Sequence, residues 1–197
     1  MYKSSQSGFT LIETLIAIFI LALTIGALLT LTAGGFFSIR YAKNDIVASN
    51  LLQESLEYIH NSRDTAAQKG TTWTTWKQQF ADCYGSNGCV VNPYPQQDIP
   101  SYIVASCGTV TSGGGPNNCD PLVYLSNGIY VQRSLTSAFQ VTGTPITTSF
   151  VRNITFKDIA GGDGPQIEVT ARMDWVNGTN PKHLTQSIIL TPWNINQ

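Results

Sequence analysis

Residues 8–37 read GFTLIETLIAIFILALTIGALLTLTAGGFF, and this stretch decides the fold. Between Lys3 and Arg40 the only ionisable side chain is Glu13. The apolar run from Phe9 to Phe37 exceeds the roughly 20 residues that carry a helix across a bilayer. No comparable run follows, so the expected plan is one membrane element and then one polar domain. An ordinary secretory signal has an apolar region of about 7–15 residues with a small-residue cleavage site behind it. Here the run is far longer, although Thr32-Ala33-Gly34 offers a weak site of that kind. A plain membrane anchor is the blander alternative, and it leaves Glu13 unexplained. A carboxylate within an apolar helix costs about 2–3 kcal/mol on insertion scales and is usually paired. No cation inside the segment reaches it. If the chain is cut after Gly8, Phe9 carries a new α-amino group one turn away. The natural partner of Glu13 is then such an amine on a neighbouring copy.

The remaining sequence suits one further domain. The chain has 197 residues and a formal net charge of -1, with charged residues at only 12%. That balance gives no electrostatic reason to expect nucleic acid as a partner. From Phe37 to Asp64 the pattern turns amphipathic: Tyr41, Ala48, Leu52, Leu56 and Ile59 recur at helical spacing. Lys43, Asp45, Glu54, Glu57 and Arg63 fall largely elsewhere. A continuous helix over 9–64 would be about 84 Å long at 1.5 Å per residue.

Asn61–Thr75 reads as a transition with Gly70 as its breaker. Trp73, Trp76 and Phe80 then suggest a short helical cap; a ligand platform is the alternative to core packing. Residues 65–121 are rich in loop formers and hold all four cysteines, Cys83, Cys89, Cys107 and Cys119. An even number beyond a membrane segment points to disulfides in an oxidising compartment. Three pairings are possible, and the sequence-local one, Cys83–Cys89 with Cys107–Cys119, is the expectation. Zinc is the rival, disfavoured because no CxxC occurs and His60 and His183 lie far from the cysteines.

Tyr102–Ser106 suggests an edge strand. Residues 122–197 read as antiparallel sheet in meander order. Leu122–Leu125 and Ile129–Gln132 flank Ser126-Asn127-Gly128, a strong hairpin cue. Phe150–Asp158 alternates around Val151, Ile154 or Phe156, and Ile159. After a turn over Ala160–Pro165, Ile167, Val169, Ala171, Met173 and Trp175 share one face of a strand. Asn177–Lys182 is the next turn, and His183–Pro192 closes the sheet. The expected fold class is therefore α+β, a long N-terminal helical spine packed on a C-terminal antiparallel sheet.

Gly8-Phe9-Thr10-Leu11-Ile12-Glu13, followed by the unbroken apolar helix, resembles the class III signal of type IV prepilins and type II secretion pseudopilins. The resemblance covers about the first 35 residues. It implies a leader, residues 1–8, that a prepilin peptidase removes, with methylation of the new Phe9 amine. It assigns 9–36 to a membrane and filament-core helix and 37–64 to its amphipathic half. Glu13 then serves assembly and register. Many major pilins carry a proline in the second half of the apolar segment; here Thr30 stands at that place, and Gly26 and Gly34-Gly35 are the only helix-weakening residues. That departure, and the closing pair IEVTARMDWV and HLTQSIILTPW, are more similar to PilV-like minor pilins and I-type pseudopilins. The implied partners are the prepilin peptidase, other subunits and further copies of the chain, and an inner-membrane assembly platform. The implied location is the inner membrane before assembly, and an extracellular filament or a periplasmic pseudopilus afterwards.

No G-x-S-x-G, Walker A, HExxH or CxxC is present, so neither an enzyme nor a cofactor is expected. Asp158 and Asp163 flank a glycine-rich turn. Two carboxylates fall well short of the roughly six to eight oxygens that calcium prefers, so an ordinary turn is the expectation. A structural subunit, a secretion pseudopilin and a tip pilin that binds a surface or DNA are the function classes left open.

Overall fold

The computed structural model describes residue 8 and residues 10–92, 104–108, 119–125, 128–132, 144–161 and 164–193. A single helix, α1 (Leu11–Gln68), is followed by α2 (Trp73–Gln78) and a short 3-10 helix (Ala81–Tyr84). Among the described residues, seven strands make one antiparallel sheet: β1 (Cys89–Val91), β2 (Val104–Ser106), β3 (Pro121–Tyr124), β4 (Tyr130–Gln132), β5 (Ile146–Gly161), β6 (Gly164–Asn177) and β7 (Asn180–Leu190). The chain divides into two compact units, residues 1–44 and 45–197.

In the second unit, α1 packs on one face of the sheet. Ala48, Leu51, Leu52, Leu56, Ile59 and Ala66 are buried there with Ile154, Phe156, Ile167, Val169, Ala171 and Met173. Their spacings of three and four place them on one stripe of the helix, and strand alternation supplies the facing residues. The helix runs four residues beyond the expected end at Asp64. Polar residues disguised its last turn, yet Ser62 and Ala66 are buried, and the Ser62 hydroxyl accepts a 2.9 Å hydrogen bond from the Trp76 indole. Gly70 ends it at φ 68°. The amide of Thr71 reaches the Ala66 carbonyl at 2.9 Å and that of Gly70 reaches Ala67 at 3.1 Å, closing the last turn with a left-handed glycine.

The sheet is not a simple meander. On one edge β5 pairs with β6, and β6 with β7. On its other edge β5 carries β3 over Ile146–Val151 and β1 at Ile154, so two ladders follow each other along one strand. The sheet thus begins at Cys89, well before residue 122. β1 was hidden because three residues, CVV, are too short to show a period. The expected turns also tighten. β5 and β6 stay paired to Gly161 and Gly164, and β6 and β7 to Asn177 and Asn180. The register between β3 and β5 shifts between Pro121 and Val123. Thr148 bridges that irregularity: its hydroxyl donates to the Leu122 carbonyl at 2.7 Å and accepts from the Phe150 amide at 3.2 Å.

Two disulfides pin the region before β3. Cys83–Cys89 ties the 3-10 helix to β1 within the helix-side core. Cys107–Cys119 lies on the opposite face with Val90 and Val151. Asn153 links that bridge to the turn before β1, donating to the Asn87 carbonyl at 2.7 Å with its amide nitrogen 3.0 Å from Cys119 Sγ. Gly88 sits in this junction at φ 69°, where a Cβ would stand 2.6 Å from Asn153 Oδ1 and 2.7 Å from the Ile154 carbonyl. Only glycine fits there.

Arg152 is fully buried on the helix-facing side of β5. Its guanidinium donates to the Leu51 carbonyl of α1 at 3.3 Å and the Val91 carbonyl of β1 at 2.8 Å, and lies 3.4 Å from Glu54. One side chain thereby joins the helix to two strands. It also explains why the phase of β5 was hard to read. A charge occupies an inner position, while Val151, on the other face, is buried under the second disulfide. Replacing Arg152 by Ala leaves buried carbonyls without their donor, and Arg152→Ala is expected to cost about 3 kcal/mol in denaturant unfolding of the oxidised full chain in detergent. Arg152→Met, which keeps most of the volume, should cost less. Equal stability of Arg152→Ala and wild type would remove Arg152 as the joint.

Candidate functional site

Among the described residues, the first unit holds the N-terminal part of α1. Thr10 opens it: its carbonyl accepts from the amides of Glu13 at 3.1 Å and Thr14 at 3.3 Å. Glu13 lies in the first turn, where the partial positive charge of the helix end favours a carboxylate. Gly8 is exposed in front of it, and Phe9 lies outside the described residues. From Thr10 to Lys43 every side chain is exposed, including Leu11 at 82%, Leu31 at 73% and Phe36 at 69%. Water is a poor surrounding for so many aliphatic and aromatic groups, each worth about 1.5–3 kcal/mol when buried.

Five hydroxyls of this segment are already engaged. Thr14, Thr24 and Thr30 donate to carbonyls three residues back at 2.8 Å, and Thr32 and Ser38 bond likewise to the preceding turn. A helix that satisfies its backbone and its hydroxyls internally suits a medium without water. α1 is the one described helix long and apolar enough to cross a membrane, with none of its most apolar window buried. Among the residues between Thr10 and Ile39, Glu13 alone is ionisable.

Other candidate sites resolve differently. Trp76 and Phe80 are fully buried; Trp73 stacks on Trp76 at 5.0 Å and meets Trp193 edge-on at 5.7 Å. Core packing accounts for these rings. Asp158 does not stand open for a cation, since its two oxygens lie 2.7 and 2.8 Å from Lys77 Nζ and it accepts from the Tyr84 hydroxyl at 3.2 Å. Asp163 lies outside the described residues. Among the described residues no three metal-binding side chains converge. His60 is exposed beside Asp64 at 3.4 Å, and His183 sits within β7 opposite Asp174. All four cysteines are engaged in the two bridges.

The N-terminal segment is thus the part of the chain whose chemistry is left incomplete by its own fold. Residues 3–29 match the prokaryotic N-terminal methylation motif. The motif is characteristic of type IV pilin-like proteins and takes in Gly8, Phe9 and Glu13. It implies a processing enzyme of the prepilin-peptidase kind. The chain matches no curated protein and no solved structure. Arg152 and the Lys77–Asp158–Tyr84 cluster were missed from sequence because their partners lie 61 to 101 positions away.

Burial, and then the neighbouring Asp158 carboxylate, hold the Tyr84 phenol well above the ordinary tyrosine range. A phenol with a raised folded pKa contributes stability that is fully present below the unfolded value near 10 and is lost as pH rises beyond it. Thermal melts between pH 9 and 11 should therefore show wild type losing more stability than Tyr84→Phe. Parallel losses would mean that the Tyr84 environment does not resist ionisation.

Proposed function

We propose that the chain is a structural subunit, most akin to a minor pilin, of a type IV pilus or related filament assembled from the membrane through its N-terminal helix. The observation that carries this reading is an uncovered apolar helix, headed by Gly8, with one carboxylate in its first turn, inside a methylation motif. A membrane can take up such a helix before assembly, and the equivalent helices of neighbours can take over afterwards. In this reading the peptidase cuts between Gly8 and Phe9, and the Phe9 amine is methylated. Glu13 of one subunit then neutralises the Phe9 amine of another, in surroundings where a lone charge is costly. The role is architectural, and no chemical step is asked of the globular unit.

Thr30, at the place where many major pilins have proline, supports a minor subunit over the main shaft component. A pseudopilin of a type II secretion apparatus shares all of this chemistry and is the second reading. A tip pilin that binds a surface or DNA gains no support from the described residues. In this reading the chain before assembly is a single-pass membrane protein, and the two disulfides support an oxidising side for its globular unit.

Mass spectrometry of the protein from its native host should find a mature chain that begins at Phe9 and carries a methyl group. A retained Met1, or a start after Ala33, would overturn the processing assignment. Glu13→Ala should leave the globular unit folded, since that unit begins at Asp45. The variant should be processed, accumulate in the membrane and be missing from sheared filaments. Entry into filaments at the wild-type level would exclude the charge-pair role.

A further inference from the structure

We propose that one end of the globular unit, bearing Tyr124, Ile146, Val176 and Lys182, seats in the headgroup layer of the bilayer that holds the N-terminal helix. Ile146 starts β5, and Val176 and Lys182 flank the β6–β7 turn. Val151 pairs with Asp174, so the start of β5 and that turn lie at the same end of the sheet. Tyr124 pairs with Ile146 and Tyr130. From Tyr124 a row of rings crosses the helix-facing side: Tyr124–Tyr130 at 5.0 Å, Tyr130–Phe150 at 6.4 Å and Phe150–Trp175 at 6.4 Å. Asn177, two residues beyond Trp175, donates to Asp45 at 3.4 Å. The row therefore ends beside the residue at which the chain enters this unit.

Chain connection supplies the argument for lipid as the occupant. Six residue steps, across five intervening residues, separate Ile39, the last apolar residue before Arg40, from Asp45. Even fully extended they reach only about 20 Å, so this end of the unit stays close to the membrane surface at any angle between the two units. The exposed groups also fit that layer. Ile146 is 64% exposed, Val176 44% and Tyr124 37%, beside an exposed Lys182. Apolar bodies with phenol and ammonium tips are what the water–lipid boundary accommodates, and the cation complements anionic headgroups.

This inference rests on insertion of the N-terminal helix, and the test separates the two. The full chain, with a benzophenone-bearing phenylalanine analogue in place of Tyr124, is reconstituted at one copy per nanodisc in phosphatidylethanolamine and phosphatidylglycerol. A second sample carries the analogue at Gln78, an exposed position beside the Lys77–Asp158 pair at the opposite end of the sheet. Failure of either chain to enter nanodiscs or float with vesicles would overturn insertion itself, and the seating with it. With both inserted, irradiation should give lipid adducts at position 124 several-fold above those at 78. Equal yields, or no lipid adduct at 124, would overturn the seating while leaving insertion standing. Adducts at 124 to a second copy alone, in vesicles holding many copies, would assign the surface to subunit contact instead.

Discussion

Everything about this protein turns on an apolar helix segment that the described residues leave uncovered. From Thr10 to Lys43 no side chain is covered, yet the segment is dominated by Leu, Ile, Ala and Phe. The hydrophobic effect does not tolerate such a surface in water, so the segment demands a second body, either lipid or other helices like it. Thr14, Thr24, Thr30, Thr32 and Ser38 have already turned their hydroxyls back onto the preceding turn. Between Thr10 and Ile39, Glu13 is left as the single charge, at the helix end that favours an anion.

The second unit solves the opposite problem. It must hold together a helix stripe and a sheet assembled from widely separated segments, with loop-rich sequence between them. β5 is the common member, pairing with β6 on one edge and successively with β3 and β1 on the other. Arg152 works at the crossing, reaching carbonyls of α1 and β1 from β5. A buried arginine is a poor source of net stability, but leaving its partners without it is worse, which makes it a constraint on which strand lies under which helix turn. The disulfides act on the same stretch, one on each face of the sheet, where short strands supply little core.

The two units also differ in what they ask of their residues. Along the apolar segment almost any aliphatic side chain satisfies the need for a lipid-like surface. In the globular unit, Gly88, Asn153 and Thr148 are each tied to particular atoms of another segment.

Sequence by itself determined the helix, the antiparallel β5–β6–β7 pairs, the candidate residues Gly8, Phe9 and Glu13, and the presence of cysteines suited to bridging. These are legible because they are local: an apolar run, an alternation of period two and a short motif need no knowledge of the rest of the chain. Tertiary structure decided the rest. It placed Ser62 and Ala66 in the core and so lengthened the helix, and it drew the three-residue β1 onto β5. It made Arg152 an interior residue and gave Asp158 to Lys77 and Tyr84. Those outcomes depend on partners tens of positions away. The cost of burying a polar group without a partner, which no local pattern records, selects among them.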